Sequence, residues 1–389
     1  ASSSSSHEND DLAYEDDEDA LGNFFTTQRS LQRSDDDLLI RAAYNDSDTE
    51  SEASTASVKD EASNKTNEAT YRMANLARNG IHIHPDTDTI PDGPVSNHVQ
   101  TVLQADASSP ELPDYVLQTY IRQRATLAMG STHRSLESFL LDSIFPGHFD
   151  STYGSATSGL VYSHSETITA KLVPDNPKTR HKVSSPKPNL LVGYSSKSDD
   201  GVFNEEQVLA HELVHSRHPQ YPEPTGNGMS FPFLAVEFKA TAGTSGNLWS
   251  ATNECAGAAA ACLRIVHQLN TTLKTTKRTS NGAGGHLDDS VENIVYTMAI
   301  DDRNALVYVA WTSGGGSGLL DSSELRYHMQ LVDEFVLSRP QEFAAFRHCV
   351  YNVLDWGKGA RQTAICKALD IIFDATKKKP GGEAGEAAD

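Results

Sequence analysis

The sequence predicts an α/β (α+β) fold with a central mixed β-sheet flanked by helices, and two observations support this class. Short runs rich in β-branched and aromatic residues recur between residues 159 and 311, which is typical of strands. Segments with apolar residues at three- and four-residue spacing precede, interrupt and follow these runs, which is typical of helices that cover a sheet. We therefore expect one globular domain over residues 67–376, without internal repeats.

The helices are predicted from apolar spacing and from small residues. Residues 111–145 have the spacing of two helices. Residues 247–273 are rich in Ala and Gly, and side chains this small allow a helix to lie close against a sheet. Residues 324–373 are predicted as further helices with breaks near Pro340 and Gly357.

Five runs are predicted as strands because β-branched and aromatic side chains suit the pleated surface of a sheet. They are residues 159–173, 189–195, 231–238, 293–300 and 305–311. The third run is apolar over most of its length and is therefore predicted to be buried.

Both ends of the chain are predicted to be disordered. Residues 1–66 hold seventeen acidic and five basic residues, a self-repelling composition that cannot form a core. Residues 377–389 are equally poor in core-forming side chains. The remaining domain keeps part of the chain's net charge of -21, which argues against a broadly basic face for nucleic acid but allows a locally basic groove. The partner of the acidic segment is not predicted.

The cysteines and the apolar runs bear on the location of the protein. Four cysteines without a C-x-x-C pair are too few for a disulfide scaffold, which predicts a reduced, intracellular protein, nuclear or cytoplasmic. No apolar run approaches the ~20 residues of a membrane span, and the first residues lack the pattern of a signal peptide. We therefore expect no membrane association.

Residues 211–215 spell H-E-x-x-H, the zinc-binding pattern of many metallopeptidases. His211 and His215 lie one helical turn apart and share a face, where two imidazoles can chelate zinc. Glu212 beside them would serve as the general base. A zinc metallopeptidase is therefore one alternative function.

The surroundings of this motif favour a simpler interpretation. A metzincin needs Gly at position 218 and His at position 221, where this chain has His218 and Tyr221. A thermolysin-like site needs a downstream glutamate on a helix, whereas the best candidate, Glu237, falls in the predicted buried strand. We therefore expect a surface helix, begun by a capping box between Asn204 and Gln207, whose histidine stripe touches solvent.

The third predicted strand carries the most informative charges of the chain. Side chains alternate along a strand, so Ala235, Glu237 and Lys239 share one face. Burial of both charges is costly unless they pair or hold a metal ion. One alternative is a salt bridge on a half-exposed face. The other is an active site in which the carboxylate holds Mg²⁺ and the lysine positions the attacking water.

Nucleases of the restriction-endonuclease type use the second arrangement and add a carboxylate from the neighbouring strand, often after a proline. This chain has Pro188 and Asn189 there, so an amide stands in place of the acid. An amide oxygen can ligate Mg²⁺ but brings no charge, so metal affinity and turnover should fall steeply. Asp200 or another nearby acid is a candidate to compensate.

Seven segments match one protein family in their order and spacing. They are IHIHPDTD (81–88), ESFLLDSIFP (137–146), KPNLLVGYS (187–195), FPFLAVEFKA (231–240), GNLWSATNECAGAAAACL (246–263), LVYVAW (306–311) and NVLDWGKGAR (352–361). Over residues 80–372 the chain resembles the fungal PD-(D/E)XK nuclease-like domain family. The resemblance implies a restriction-endonuclease-like fold and a site for Mg²⁺ or Mn²⁺. Members commonly have Pro-Asp where this chain has Pro188-Asn189.

The resemblance also implies the roles of individual residues. It makes Glu237 a metal ligand, Lys239 the lysine of the motif and Asn189 the occupant of the first Asp position. It makes Glu137 a helix-borne acid near the metal. The pair Asn253 and Glu254 then either approaches the phosphate or is a plain polar pair at a helix start.

Three functions follow from these patterns. The leading one is a PD-(D/E)XK nuclease-like domain that binds nucleic acid and hydrolyses phosphodiesters with weakened or lost catalysis. The second is a non-catalytic scaffold or interaction protein, which suits the amide at Asn189 and the acidic charge. The third is the zinc metallopeptidase.

Overall fold

The computed structural model describes residues 66, 68–86, 93–105, 114–128, 133–145, 159–196, 201–218, 224–225, 228–240, 247–281, 290–314 and 325–377. All of them belong to one compact unit, Ser57–Asp389. The predictions of disorder for residues 1–66 and 377–389 lie outside the described residues, apart from Thr66 and Lys377.

A mixed sheet of seven strands forms the centre of the described residues. The strands are β1 (Ile81–His84), β2 (Leu160–His164), β3 (Leu190–Ser195), β4 (Met229–Phe238), β5 (Ile294–Ile300), β6 (Asn304–Ser313) and β7 (Arg326–Val336). Their order across the sheet is β1-β7-β6-β5-β4-β3-β2. Strand β1 pairs with β7 and β4 with β5 in parallel, and the other neighbours are antiparallel. The predicted α/β class with a mixed sheet is confirmed.

Helices flank this sheet. They are α1 (Pro94–Leu103), α2 (Asp114–Ala128), α3 (His133–Ser143), α4 (Glu205–Arg217), α5 (Leu248–Asn281), α6 (Pro340–Trp356) and α7 (Gln362–Lys377). Shorter helical turns occur at Arg72–Leu76, Ala77–Asn79, Ala170–Leu172 and Gly357–Arg361. None of the helices in the described ranges is long and apolar enough to cross a membrane.

Helix α5 joins β4 to β5 and packs on both strands. Its small residues allow the close approach that the sequence predicts, since Ala251, Ala258 and Ala261 are completely buried. Cys255 and Cys262 are buried on the same helix, as expected for core residues, and burial raises the pKa of the Cys262 thiol to about 12. The helix therefore forms one wall of the core directly behind β4.

The prediction of helix over residues 324–339 is wrong, because residues 326–336 of this stretch form strand β7. Leu331, Val332 and Phe335 have helical spacing in the sequence. In the sheet, however, Val307 pairs with Asp333 and the next residue, Tyr308, pairs with Leu331, so Val332 is a bulge. A bulge shifts the two-residue alternation by one position, and this hides the strand pattern.

The predicted break at Gly357 is also wrong, although a new helix does begin at Pro340 as expected. The chain stays helical through Gly357–Arg361 and continues into α7. A Cβ atom at Gly357 would lie 2.2 Å from the Phe233 ring, so this glycine makes room for an aromatic side chain. The hydroxyl of Tyr194 donates to its carbonyl at 2.6 Å.

Three differences concern the length or presence of elements. The first predicted strand ends at His164, because Ser165 adopts a φ of 49° and turns the chain away from the sheet. Strand β1 and helix α1 lie in a part of the sequence for which no element was predicted.

Candidate active site at the end of strand β4

Glu237 and Lys239 lie where β4 leaves the sheet. Glu237 is the penultimate residue of the strand and is 1% exposed, and all ten residues of β4 are buried. Lys239 follows the strand, and its backbone N–H donates to the carbonyl of Ile300 at 2.9 Å, which holds the strand end against β5. The alternative of a salt bridge on a half-exposed strand face is therefore wrong only as to exposure, because α5 covers this side of the strand.

The two side chains meet a third charge, Glu254, from the first turns of α5. The ammonium Nζ of Lys239 donates to Oε2 of Glu254 at 2.8 Å and lies 3.9 Å from Oε2 of Glu237. The Lys239 side chain is 11% exposed and that of Glu254 is 20% exposed. The site thus holds two carboxyl groups and one ammonium, mostly shielded from water.

Burial and charge together decide the protonation of this cluster. Burial raises the pKa of the Glu237 carboxyl well above its ordinary value, and the nearby charge of Glu254 raises it further. Burial alone would lower the pKa of Lys239, but the two carboxylates outweigh it and the net pKa is raised. Lys239 therefore stays an ammonium paired with Glu254, while the Glu237 carboxyl takes up a proton at a higher pH than an ordinary glutamate does.

One atom of this cluster lacks a partner. Oε1 of Glu237 is buried and accepts no hydrogen bond from any described residue. A buried carboxyl oxygen without a donor is costly, so a missing cation or proton donor is the natural partner for it.

The donor set fits a hard divalent ion. Mg²⁺ prefers oxygen ligands and is commonly bound by one or two carboxylates together with water and substrate phosphates, and Glu237 and Glu254 supply two. Within the described ranges, no three His, Cys, Asp or Glu side chains are grouped so that they would hold a metal ion by themselves.

Asn189 lies beside this cluster. It directly precedes β3, and the pairing of Leu190 with Val236 places it next to the end of β4. Its Oδ1 accepts the backbone N–H of Phe238 at 2.7 Å, so the predicted ligand oxygen already has a donor. The amide therefore joins the two strand ends, in the position that the resemblance gives to an acid.

Glu137 is a more distant member of the site. It lies on α3, and its charge contributes to the raised pKa of Glu237, as the weakest of the causes. The contact between Phe145 and Phe238, whose rings cross edge to face at 6.2 Å, places the end of this helical segment near the end of β4. Asp200, the predicted compensating acid, lies outside the described residues.

Further polar contacts, which the sequence does not predict, lie next to Glu254 at the start of α5. Thr66 donates its hydroxyl to Oε1 of Glu254 at 3.1 Å, and the Nε of Arg72 donates to Oδ1 of Asn253 at 2.8 Å. The Arg72 guanidinium also stacks on the Trp249 ring, 3.4 Å from its centroid. The residues that precede β1 carry no motif, so only their contacts with α5 reveal their place.

The H-E-x-x-H helix gives a different result. The predicted capping box is confirmed, since the Asn204 side chain accepts the N–H of Gln207 at 2.8 Å. The expectation of a solvent-exposed histidine stripe is wrong for His211, which is 6% exposed and packs on the Phe231 ring. Its Nε2 lies 2.9 Å from Nε2 of His215.

The pair His211 and His215 differs from the cluster at β4 because burial keeps its inner imidazole uncharged. Burial lowers the pKa of His211 to about 3, with a further contribution from His215. Glu212 is exposed to solvent. His218 contacts the hydroxyl of Thr272 at 3.2 Å, and Tyr221 lies outside the described residues.

Comparison with known proteins identifies the family of the chain. Residues 133–369 match the model of a domain of unknown function, DUF7924, and this is more than half of the 389 residues. The chain therefore belongs to the DUF7924 family. The match begins with α3 and includes Asn189, Glu237, Lys239 and Glu254. No curated protein matches the sequence.

Proposed function

We propose that this member of the DUF7924 family is a PD-(D/E)XK nuclease-like protein with weakened catalysis, whose substrate is a nucleic-acid phosphodiester. The observation that supports the proposal is the convergence of an acid, a lysine, an amide and a second acid where β3, β4 and α5 meet. Such a buried group of opposite charges has a cost in stability that a purely structural strand end would not need.

Each residue has a part in the proposed reaction. Glu237 and Glu254 would hold a Mg²⁺ or Mn²⁺ ion, which supplies Lewis-acid stabilisation of negative charge on phosphorus oxygens. Lys239 is held by Glu254 with its ammonium directed at the carboxyl groups, where it can orient a water molecule and stabilise the charge that develops. The closed surroundings strengthen both effects because they exclude bulk water.

Asn189 explains why catalysis would be weak. The site lacks the negative charge that an acid would bring, and the amide oxygen is engaged with the backbone of Phe238. Substitution by Asp keeps this hydrogen bond, since a carboxylate also accepts it, and adds a charge next to Glu237. The substitution therefore tests the added charge without removing the contact that joins the two strand ends.

The experiment compares plasmid cleavage and Mg²⁺ or Mn²⁺ binding for the wild type, Asn189→Asp and the double variant Asn189→Asp/Glu237→Ala. We expect Asn189→Asp to bind the ion at least tenfold more tightly and to nick plasmid DNA, and the double variant to lose both. Ion binding should also raise the midpoint temperature of thermal unfolding, which is measured with and without the ion.

The matched control is Asn270→Asp. Asn270 is also a buried amide whose Oδ1 accepts a backbone N–H, from Val291 at 2.9 Å, but it lies sixteen residues beyond Glu254 along α5. The control should gain neither ion binding nor cleavage. If Asn189→Asp behaves like the control, the cluster is structural and the non-catalytic scaffold replaces the nuclease-like function.

A further inference from the structure

A basic surface lies on the outside of this acidic protein. Between residues 171 and 187 the chain holds five Lys or Arg residues and one acid, although the whole chain has a net charge of -21. The basic surface is defined by Arg78, Lys178 and Arg180, which together with Asn176 and Thr179 line an open concavity of about 650 Å³. The acidic average of the composition therefore conceals a local excess of positive charge.

The three cations of the basic surface are available for a ligand. Each is exposed, and none forms an ion pair with a carboxylate of the residues that the structure describes. The acid of this stretch, Asp175, is paired instead with Lys182. Burial lowers the pKa of the neighbouring His181, and the charges of Arg78 and Arg180 lower it further.

Hydrogen bonds hold the concavity in shape. The N–H of Asn176 donates to Oδ1 of Asn79 at 2.8 Å, and its side chain donates to the carbonyl of Arg78 at 2.8 Å. The buried side chain of Asn79 donates to the carbonyl of His181 at 2.7 Å. The carboxamide of Asn176 also accepts the N–H of Lys178 at 2.9 Å. These hydrogen bonds join residues 78–79 to residues 176–181, so that the cations of both segments line the same concavity.

The same segment connects the basic surface to the candidate active site. Arg72 and Arg78 lie six residues apart on the continuous helical turns Arg72–Leu76 and Ala77–Asn79. Arg72 binds Asn253, the neighbour of Glu254, while Arg78 lines the concavity. The segment that lines the concavity at Arg78 therefore also contacts α5 beside the cluster.

We infer that the basic surface binds the phosphate backbone of nucleic acid and leads it to the site at the end of β4. This inference rests on the proposed function for the direction in which the backbone runs, but the binding itself requires no catalysis. The chemistry is charge complementarity: two guanidinium groups and one ammonium suit successive phosphates, and no base-specific contact is involved.

The test measures binding of fluorescent DNA and RNA oligonucleotides to the full chain by anisotropy, with EDTA present so that no divalent ion contributes. The triple variant Arg78→Gln, Lys178→Gln and Arg180→Gln should bind about tenfold more weakly or worse. Between about 50 and 200 mM salt, the slope of log K against log salt should fall by about 2 to 3, because up to three phosphate contacts are lost.

The control removes the same charge elsewhere, by Lys274→Gln, Lys277→Gln and Arg278→Gln near the end of α5, and should bind like the wild type. Equal binding by the two triple variants overturns the inference. A wild type that binds no oligonucleotide overturns it as well.

The outcome is independent of the test of catalysis. If Asn189→Asp fails to cleave while the basic surface still binds with the predicted salt dependence, the proposed chemistry falls and the binding surface stands. If Asn189→Asp cleaves but the triple variant binds and cleaves normally, the site stands and the backbone takes another path.

Discussion

Strand β4 and helix α4 both carry motifs of catalytic residue types, and they differ in how they treat charge. At the end of β4 the structure brings a buried carboxyl group together with an ammonium and a second carboxylate that are both only partly exposed. On α4 it buries one imidazole against Phe231 and leaves Glu212 in solvent. Burial keeps His211 neutral, because its pKa is lowered to about 3, whereas the β4 cluster retains its ion pair.

This difference shows that the surroundings of a motif determine its chemistry. The H-E-x-x-H pattern is the more familiar of the two, yet its best-buried histidine is desolvated beside an aromatic ring and the glutamate faces outward. The shorter E-x-K pattern gains the carboxylate of Glu254 from helix α5. Its shielded charges destabilise the fold unless they pair with each other or bind an ion. Three predictions, the first with a matched control, test this contrast.

The largest effect is expected for Lys239→Met. The substitution leaves the Glu254 carboxylate without its cation beside Glu237, and removal of one partner of a buried pair typically costs about 3 to 5 kcal/mol. Because Glu254 is 20% exposed, we expect about 3 kcal/mol, measured by urea unfolding at pH 7.

The chain offers a matched control in Lys377→Met. Lys377 donates to Glu206 at 2.8 Å, the same distance as in the buried pair, but both side chains are more than half exposed. Water replaces the lost partner there, so no measurable change is expected. Equal losses for the two variants would show that burial of the β4 cluster does not matter.

These expectations also show what the sequence could and could not reveal. Alternation along β4 predicts that Glu237 and Lys239 share a face. The neighbouring position of Asn189 is implied by the resemblance to nucleases and not by a local pattern. The ion pair with Glu254 depends on the angle at which α5 crosses the strand, and no local pattern encodes that angle. Arg72 lies still further from any motif, since its place depends on how the chain before β1 packs on α5.

The same limit explains the errors. Burial of His211 depends on the Phe231 ring from β4, which cannot be predicted from the spacing of residues on α4 alone. Strand β7 was missed because a bulge at Val332 gives it helical spacing. In both cases the spacing of residues along the chain does not reveal a contact with a distant strand, and that contact decides the outcome.

The second prediction concerns the pH dependence of stability. The folded state holds His211 with a pKa of about 3, while the unfolded state takes up a proton near 6.5, so protons favour unfolding as the pH falls from 6.5. This one group should remove about 2 kcal/mol of stability between pH 6.5 and pH 5. The variant His211→Gln should have a flatter dependence in unfolding experiments over this range. A slope identical to that of the wild type would mean that another group titrates.

The smallest effect, and the one of opposite sign, is expected for Glu237→Gln. The folded-state pKa of Glu237 is raised, so the protein must hold a proton that the unfolded chain releases above pH 4.5, and stability is lost as the pH rises. Glutamine has the shape of the protonated acid and needs no proton. We therefore expect the variant to be more stable than the wild type by about 1 kcal/mol at pH 8, with the difference shrinking towards pH 4.5.

The Glu237→Gln variant also distinguishes the loss of stability that the buried acid causes from its proposed role as a ligand of the metal ion. If the acid is present to hold an ion, Glu237→Gln removes any stabilisation by Mg²⁺ or Mn²⁺ while it raises stability in EDTA, and the two changes are read in one thermal unfolding series. A loss of stability in EDTA at pH 8 would instead show that the negative charge of Glu237 supports the Lys239 pair. The cluster would then stabilise the strand end, and the argument from its cost to a function would fail.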